Sequence, residues 1–299
     1  ARAMRFPGAP FGIKMACGEN PKRVYGTRKQ QPMSRMGSVS KLRRAFIAAR
    51  EYAFDQKQYE DDYAEWEEKY EAKEADSEAE DPGKEPKRPA RNLGYETLAQ
   101  VMDGKINVHI HCYRADEMLL MLSLAEELGF SVKSFHHAVE AYKIADILAA
   151  KNVGASMWAD WWGFKLEAYD GVEENVAMLA AMGGKAIVHS DSEIGIQRLN
   201  QEAAKALASG NRLGLGLSED EAIKWITLNP AWALGVEKQT GTLEVGKMAD
   251  VVVWDKFPLS MQASAQQVYI DGALVYDRSA PPRVWSDFEV GTEMEEVAP

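Results

Sequence analysis

The chain has 299 residues, 46% hydrophobic and 27% charged, the balance of a soluble globular protein able to bury one large core or two ordinary ones. Its formal net charge of −11 argues against nucleic acid or an anionic membrane as main partner, since both call for clustered Lys and Arg. No run approaches the ~20 apolar residues of a membrane span and no secretion signal marks the N-terminus, so the compartment stays open between cytoplasm and, after processing, periplasm or exterior. Cys17 and Cys112 are too few for a disulfide framework and lack the spacing of a structural zinc site, and are expected as small buried residues.

Short apolar runs rich in Val and Ile alternate with helical patterns from residue 10 onward. The runs are "GIKMACG" (12–18), "INVHIHC" (106–112), "SVKSFHHA" (131–138), "GASMWAD" (154–160) and "KAIVHSD" (185–191), a rhythm that predicts parallel βα units. Residues 41–92 interrupt it with a charged helical stretch. There Tyr52, Tyr59, Tyr63, Trp66 and Tyr70 form one aromatic stripe, expected to pack on the protein's own surface, with a partner contact as the alternative. "EADSEAEDPGKEPKRP" then reads as an exposed, mobile loop.

Further on, a helix is expected from Ala115 to Leu128, stopped by Gly129, and another over 140–150. "SEDEAIKWITLNPA" opens with Ser218 as N-cap and Glu221 completing a capping box, and Pro230 is expected to close that helix. After residue 240, "GTLEVGKMADVVVWD" and "QVYIDGALVYD" read as short strands of a small β layer.

All five histidines fall on three predicted strands: His109 and His111, His136 and His137, and His189. In a parallel βα barrel the C-terminal strand ends face a common mouth, which makes His111, His137 and Asp191 candidates for one site. Side chains alternate along a strand. His109 therefore shares a face with His111, about one layer deeper, while His136 and His137 are expected to point oppositely. Singly, each histidine reads as a buried structural residue; together, two imidazoles and a carboxylate suit zinc with positions left open for water. His109 and His189 are assigned supporting places around the ligands. Lys14, inside an apolar strand, is costly to bury charged and calls for a partner or a chemical change.

These motifs resemble the amidohydrolase superfamily, in particular its imidazolonepropionase-like and Xaa-Pro dipeptidase-like metal-dependent hydrolases. "ITLNPAWALGVEKQTGTLEVGKMADVVVWD" (226–255) is similar to the family's passage from the last barrel helix into its small β-sandwich. "HCYRADEM" (111–118) resembles the fifth barrel strand and selects His111 over His109; "HHAVEAYK" (136–143) resembles the sixth and selects His137. "VHSDSE" (188–193) resembles the eighth, with Asp191 as the catalytic aspartate. "GIKMACGENPKRVYG" (12–26) resembles the fourth, where many members carry a carboxylated lysine bridging two metals. That implies Lys14, with Glu19 as the reserve ligand or a substrate contact.

The resemblance implies an α/β protein: strands four to eight of a (β/α)8 TIM barrel over residues 1–235, with the helical insertion at 41–92, and part of a β-sandwich over 236–299. The family's first three strands and their His-x-His ligands have no counterpart here. This implies a companion N-terminal chain or fragment completing the barrel, and the whole is expected to form a homo-oligomer. The implied activity is hydrolysis of amide C–N bonds in peptides or cyclic amides. One or two Zn2+, or another divalent metal, activate water, and Asp191 takes its proton and passes it to the leaving nitrogen. Trp161 and Trp162 of "MWADWWGFK" (157–165) are expected to line an apolar substrate pocket for a small molecule or peptide. The alternative is a catalytically inactive subunit acting in assembly through its long helix, which the missing ligands favour and the order Lys14, His111, His137, Asp191 opposes.

Overall fold

The computed structural model describes residues 6–161 and 163–280. It opens with β1 (Phe11–Ala16) and α1 (Glu19–Thr27), followed by the 41-residue α2 (Arg35–Ala75). Ser34 caps α2, its Oγ accepting from the Gly37 N–H at 3.0 Å. The aromatic stripe forms a ladder along α2, with ring centroids 5.8 Å (Tyr59–Tyr63), 5.7 Å (Tyr63–Trp66) and 5.1 Å (Trp66–Tyr70) apart. The exposed segment 76–92 runs back beside it: Trp66 Nε1 donates to the Gly83 carbonyl at 3.2 Å, and Tyr52 lies 5.9 Å from Tyr95 in α3 (Leu93–Met102). These contacts pack the stripe on the chain's own residues.

From there strands and helices alternate: β2 (Ile106–His111), α4 (Ala115–Leu128), β3 (Val132–His136), α5 (Ala145–Ala150), β4 (Gly154–Met157), α6 (Asn175–Ala181), β5 (Ala186–Val188) and α7 (Leu199–Arg212). All five strands are parallel, in the order β1-β2-β3-β4-β5, because a helical connection returns the chain to the same end each time. On β2 the apolar Ile106, Val108 and Ile110 are buried against the helix layer, while His109 and His111 share the other, half-buried face. Met118, Leu124 and Leu128 of α4 close that core with Phe135 of β3, and Gly129 ends α4 with φ 79°, a left-handed conformation a side chain would strain. Every residue of β4 and β5 is buried.

Two expectations are overturned. Cys17 and Cys112 are buried, but as partners in a disulfide with Cα atoms 5.2 Å apart. They are 95 residues apart, and the sheet register that sets Ala16 beside His111, rather than any local spacing, brings them together. Nor does Pro230 close the helix that Ser218 caps. That helix, α8 (Glu219–Lys224), stops first, and Pro230 falls in the first turn of α9 (Leu228–Leu234), where a backbone N–H has no intrahelical acceptor to lose.

A second, antiparallel sheet follows, β6 (Val251–Trp254), β7 (Ala265–Ile270) and β8 (Ala273–Asp277). Its hairpin turns on Asp271 and Gly272, with φ 49° and 81°, the positive pair that a two-residue hairpin favours. Among the described residues no helix is long and apolar enough to cross a membrane.

Candidate functional site

Five imidazoles meet at the C-terminal ends of β2, β3 and β5. Ring centroids lie 4.7 Å apart for His111 and His137, 4.9 Å for His137 and His189, and 5.2 Å for His109 and His136. Lys14 reaches in from β1, its Nζ 2.8 Å from His136 Nδ1, and His136 Nε2 is 3.1 Å from His109 Nδ1. With Lys14 charged, His136 accepts at Nδ1 and carries its proton on Nε2, which donates to His109. Asp191 stands at the edge, its Oδ2 3.9 Å from His137 Nδ1 and its side chain largely exposed.

The structure thus brings Lys14, His111, His137 and Asp191 into one neighbourhood with His109 and His189, but His136 joins them too. Alternation fails at His137, which lies one residue beyond β3 with φ 60° and swings its ring back to the side that His136 occupies. Asp191 is likewise left-handed, φ 48°. Such backbone costs on the order of 1–3 kcal/mol per residue and persists where its surroundings enforce it. Here the Ala138 N–H donates to the Ser156 carbonyl, and Trp158 Nε1 donates to the carbonyl of Ser190 at 2.8 Å.

Burial pushes every imidazole pKa down, aided by neighbouring positive charge: to about 4 for His109, His111 and His189, about 3 for His136 and about 2 for His137. Lys14 is also lowered by desolvation, against the pull of Asp191. Lys14 as a whole is exposed on β1, with the His136 ring against its ammonium. At neutral pH the five rings are therefore neutral and carry lone pairs.

Three of those rings have a buried nitrogen with no hydrogen-bond partner: His111 Nε2, His137 Nδ1 and His189 Nε2. An orphaned buried polar atom is unfavourable by about 1–3 kcal/mol, and a divalent metal would satisfy such nitrogens. The donor chemistry fits a metal, yet among the described residues no three His, Cys, Asp or Glu side chains form a group that could hold one. A complete coordination sphere would need further donors or a closer approach of these.

An aromatic wall adjoins the cluster. Tyr113 and Trp158 stack against His137 at 5.6 and 4.9 Å, Trp161 stacks on Trp158 at 5.8 Å, and Phe164 meets Trp158 edge-on at 5.6 Å. Burial raises the Tyr113 pKa, and Lys165 Nζ lies 3.7 Å over the Tyr113 ring. Trp161 is 46% exposed, one ring removed from His137, and Trp162 lies outside the described residues. Glu19 begins α1 with its backbone N–H donating to Glu167 at 2.6 Å, and the half-exposed Arg35 joins the buried carboxylates of Glu117 and Glu167 at 3.0 and 3.5 Å. Sequence reasoning missed Tyr113 and Trp158. Tyr113 follows His111 at the two-residue spacing of one strand face, a signal that was available.

The profile of the Amidohydrolase family matches residues 146–276, from α5 to β8. Amidohydrolase tasK of Hapsidospora irregularis is 32% identical over 270 residues, 89% of this chain and 26% of that protein. The crystal structure of an amidohydrolase from Thermotoga maritima MSB8 superposes with a TM-score of 0.71 at 33% identity, covering 89% of this chain and 63% of that one. Imidazolonepropionase of Pseudomonas aeruginosa (strain UCBPP-PA14) is 54% identical over 39 residues, 13% of this chain and 10% of that protein. The chain thus spans less than two thirds of the length of these relatives.

Proposed function

Because the chain belongs to the amidohydrolase superfamily, we propose that it carries the centre of a hydrolase of carbon–nitrogen bonds, built on His111, His137 and Asp191. The observation that carries this reading is the three unpartnered, buried imidazole nitrogens beside an exposed carboxylate.

His111 and His137 would hold the metal, with Lys14, once carboxylated, as an anionic ligand in place of a cation, and with Glu19 as the reserve. Bound Zn2+, or another divalent ion, supplies Lewis-acid polarisation of the scissile carbonyl and a lowered pKa for water. Asp191 takes a proton from the attacking water as its oxygen joins the carbonyl carbon, then gives that proton to nitrogen as the C–N bond breaks. Its exposed carboxylate is open to a substrate and its backbone is pinned through Ser190. Tyr113 and Trp158 shield one flank of His137 from water, while Trp161 and Phe164 receive the apolar part of a peptide or cyclic amide.

A companion segment would bring the remaining ligands. Among the described residues β2 is the one strand beside β1, whose side chains are exposed or half-exposed throughout, and that supports such a neighbour. Between the compartments left open by the sequence, the disulfide favours an oxidising one.

The test is hydrolysis of dipeptides, N-acyl amino acids and cyclic amides by the full chain with Zn2+ supplied, beside its Asp191→Asn variant. Turnover in the wild type and its loss by a factor of about a hundred or more in the variant is expected. Equal turnover in both would remove Asp191 from the chemistry; no turnover in either together with no bound zinc would favour the inactive assembly subunit.

A further inference from the structure

β1 and β2 lie side by side, yet α1, α2, segment 76–92 and α3 all intervene, and the two cysteines that join the strands are 95 residues apart. Pairing strands across so long a connection carries a larger loop-closure entropy than the short connections that join β2 to β5. Each of these strands also carries a candidate site residue. The register sets Lys14 opposite His109 and Ala16 opposite His111, and the disulfide closes one position further on. There the Cys17 N–H donates to the His111 carbonyl at 2.9 Å and the Cys112 N–H to the His136 carbonyl at 3.1 Å. The cross-link is therefore a clasp at the mouth end of the sheet, bonded through its own backbone to two of the clustered histidines. β1 pairs with β2 over six residues and sets Ile13 and Met15 against the core, yet its residues are exposed or half-exposed while those of β4 and β5 are buried throughout, so the covalent link adds to a less covered strand.

We propose that the Cys17–Cys112 disulfide is a positioning element of the candidate site, holding β1, which carries Lys14, in register with β2, which carries His111, so that its loss weakens divalent-metal binding in a chain that stays folded. This rests on the metal reading given above. Reduction by a dithiol has the same effect: the dithiol passes two electrons and two protons to the sulfurs, leaving two thiols here and becoming a disulfide itself. A cavity of about 120 Å³ adjoins the buried bond, lined by Cys17 together with Gly18, Arg35, Asp116, Glu117 and Met121.

Co2+ titration of the full chain, read by visible absorption, tests this on three proteins: oxidised wild type, Cys17→Ala/Cys112→Ala, and Leu148→Ala. Alanines remove the thiols as alternative ligands, and Leu148, fully buried on α5, provides destabilisation away from the clasp. The double variant is expected to bind Co2+ about tenfold more weakly than wild type or worse, the scale seen when a support of a metal ligand is removed. Leu148→Ala should melt earlier yet bind like wild type. Equal affinity in wild type and double variant overturns the proposal, as does equal weakening in the double variant and Leu148→Ala. A wild type that binds no Co2+ overturns the metal reading and this proposal with it.

Discussion

The middle of the large sheet and the flanks of the molecule dispose of apolar surface differently. β2 buries every second residue and β4 and β5 bury all of theirs, whereas Phe11 on β1 is 58% exposed and Val252, Val253, Leu274 and Val275 of the small sheet are each more than two fifths exposed. β2, β3 and β4 have neighbours on both edges and the edge strand β5 is covered by α6, α7 and α9, so this chain alone removes their side chains from water. The opposite edge strand, β1, has β2 beside it and no comparable helical cover among the described residues. The candidate site straddles the boundary: its histidines come from the self-sufficient middle and Lys14 from the flank. Metal affinity should therefore respond to changes on β1 that leave the fold intact.

That contrast can be broken most severely in the middle. Phe135→Ala, at a fully buried position of β3, should lower the unfolding free energy by about 3–5 kcal/mol in a urea titration. A loss under about 1 kcal/mol would mean the middle is less tightly packed than its burial implies. Next in size, Asp191→Asn should remove turnover by a factor of about a hundred, near 2.7 kcal/mol of barrel-mouth chemistry, with no matching fall in melting temperature. A fall in stability of the same size would make Asp191 a structural residue.

Acid sharpens the comparison from another side. The clustered histidines have folded pKa values of about 2 to 4, below the ordinary 6.5, so between those limits the unfolded chain binds more protons than the folded one. Stability of the metal-free protein should rise with pH through that window and be lost as pH falls from 6.5 toward 4, measured as melting temperature. A flat profile would show that the rings are hydrated and free to charge. Smallest of all, Val252→Ala on the small sheet should change the unfolding free energy by about 0.5 kcal/mol or less in the same urea assay. A loss of core size would show that this face is already covered.

What the sequence discloses follows the range of each interaction. The five parallel strands, the Gly129 stop and the Ser218 cap are written locally, in apolar runs, a left-handed glycine and a hydroxyl three residues ahead of an amide. His111, His137 and Asp191 could be picked out because strand ends share a mouth, and the structure sets them near one another. The disulfide could not, since it depends on register between strands that a 41-residue helix and more separate. Nor could the entry of His136: period-two alternation holds only while the chain is extended, and a single φ of 60° at His137 cancels it. Pro230 misled for a related reason, because its effect depends on which turn of a helix it occupies.

The proposed centre depends on the unpartnered nitrogens of His111 and His137 holding a metal beside Asp191. The most direct test is elemental analysis of the full chain after equilibration with Zn2+ and removal of the unbound ion. The account predicts about one equivalent or more of zinc per chain. Less than about a tenth of an equivalent in folded, oxidised protein would contradict it.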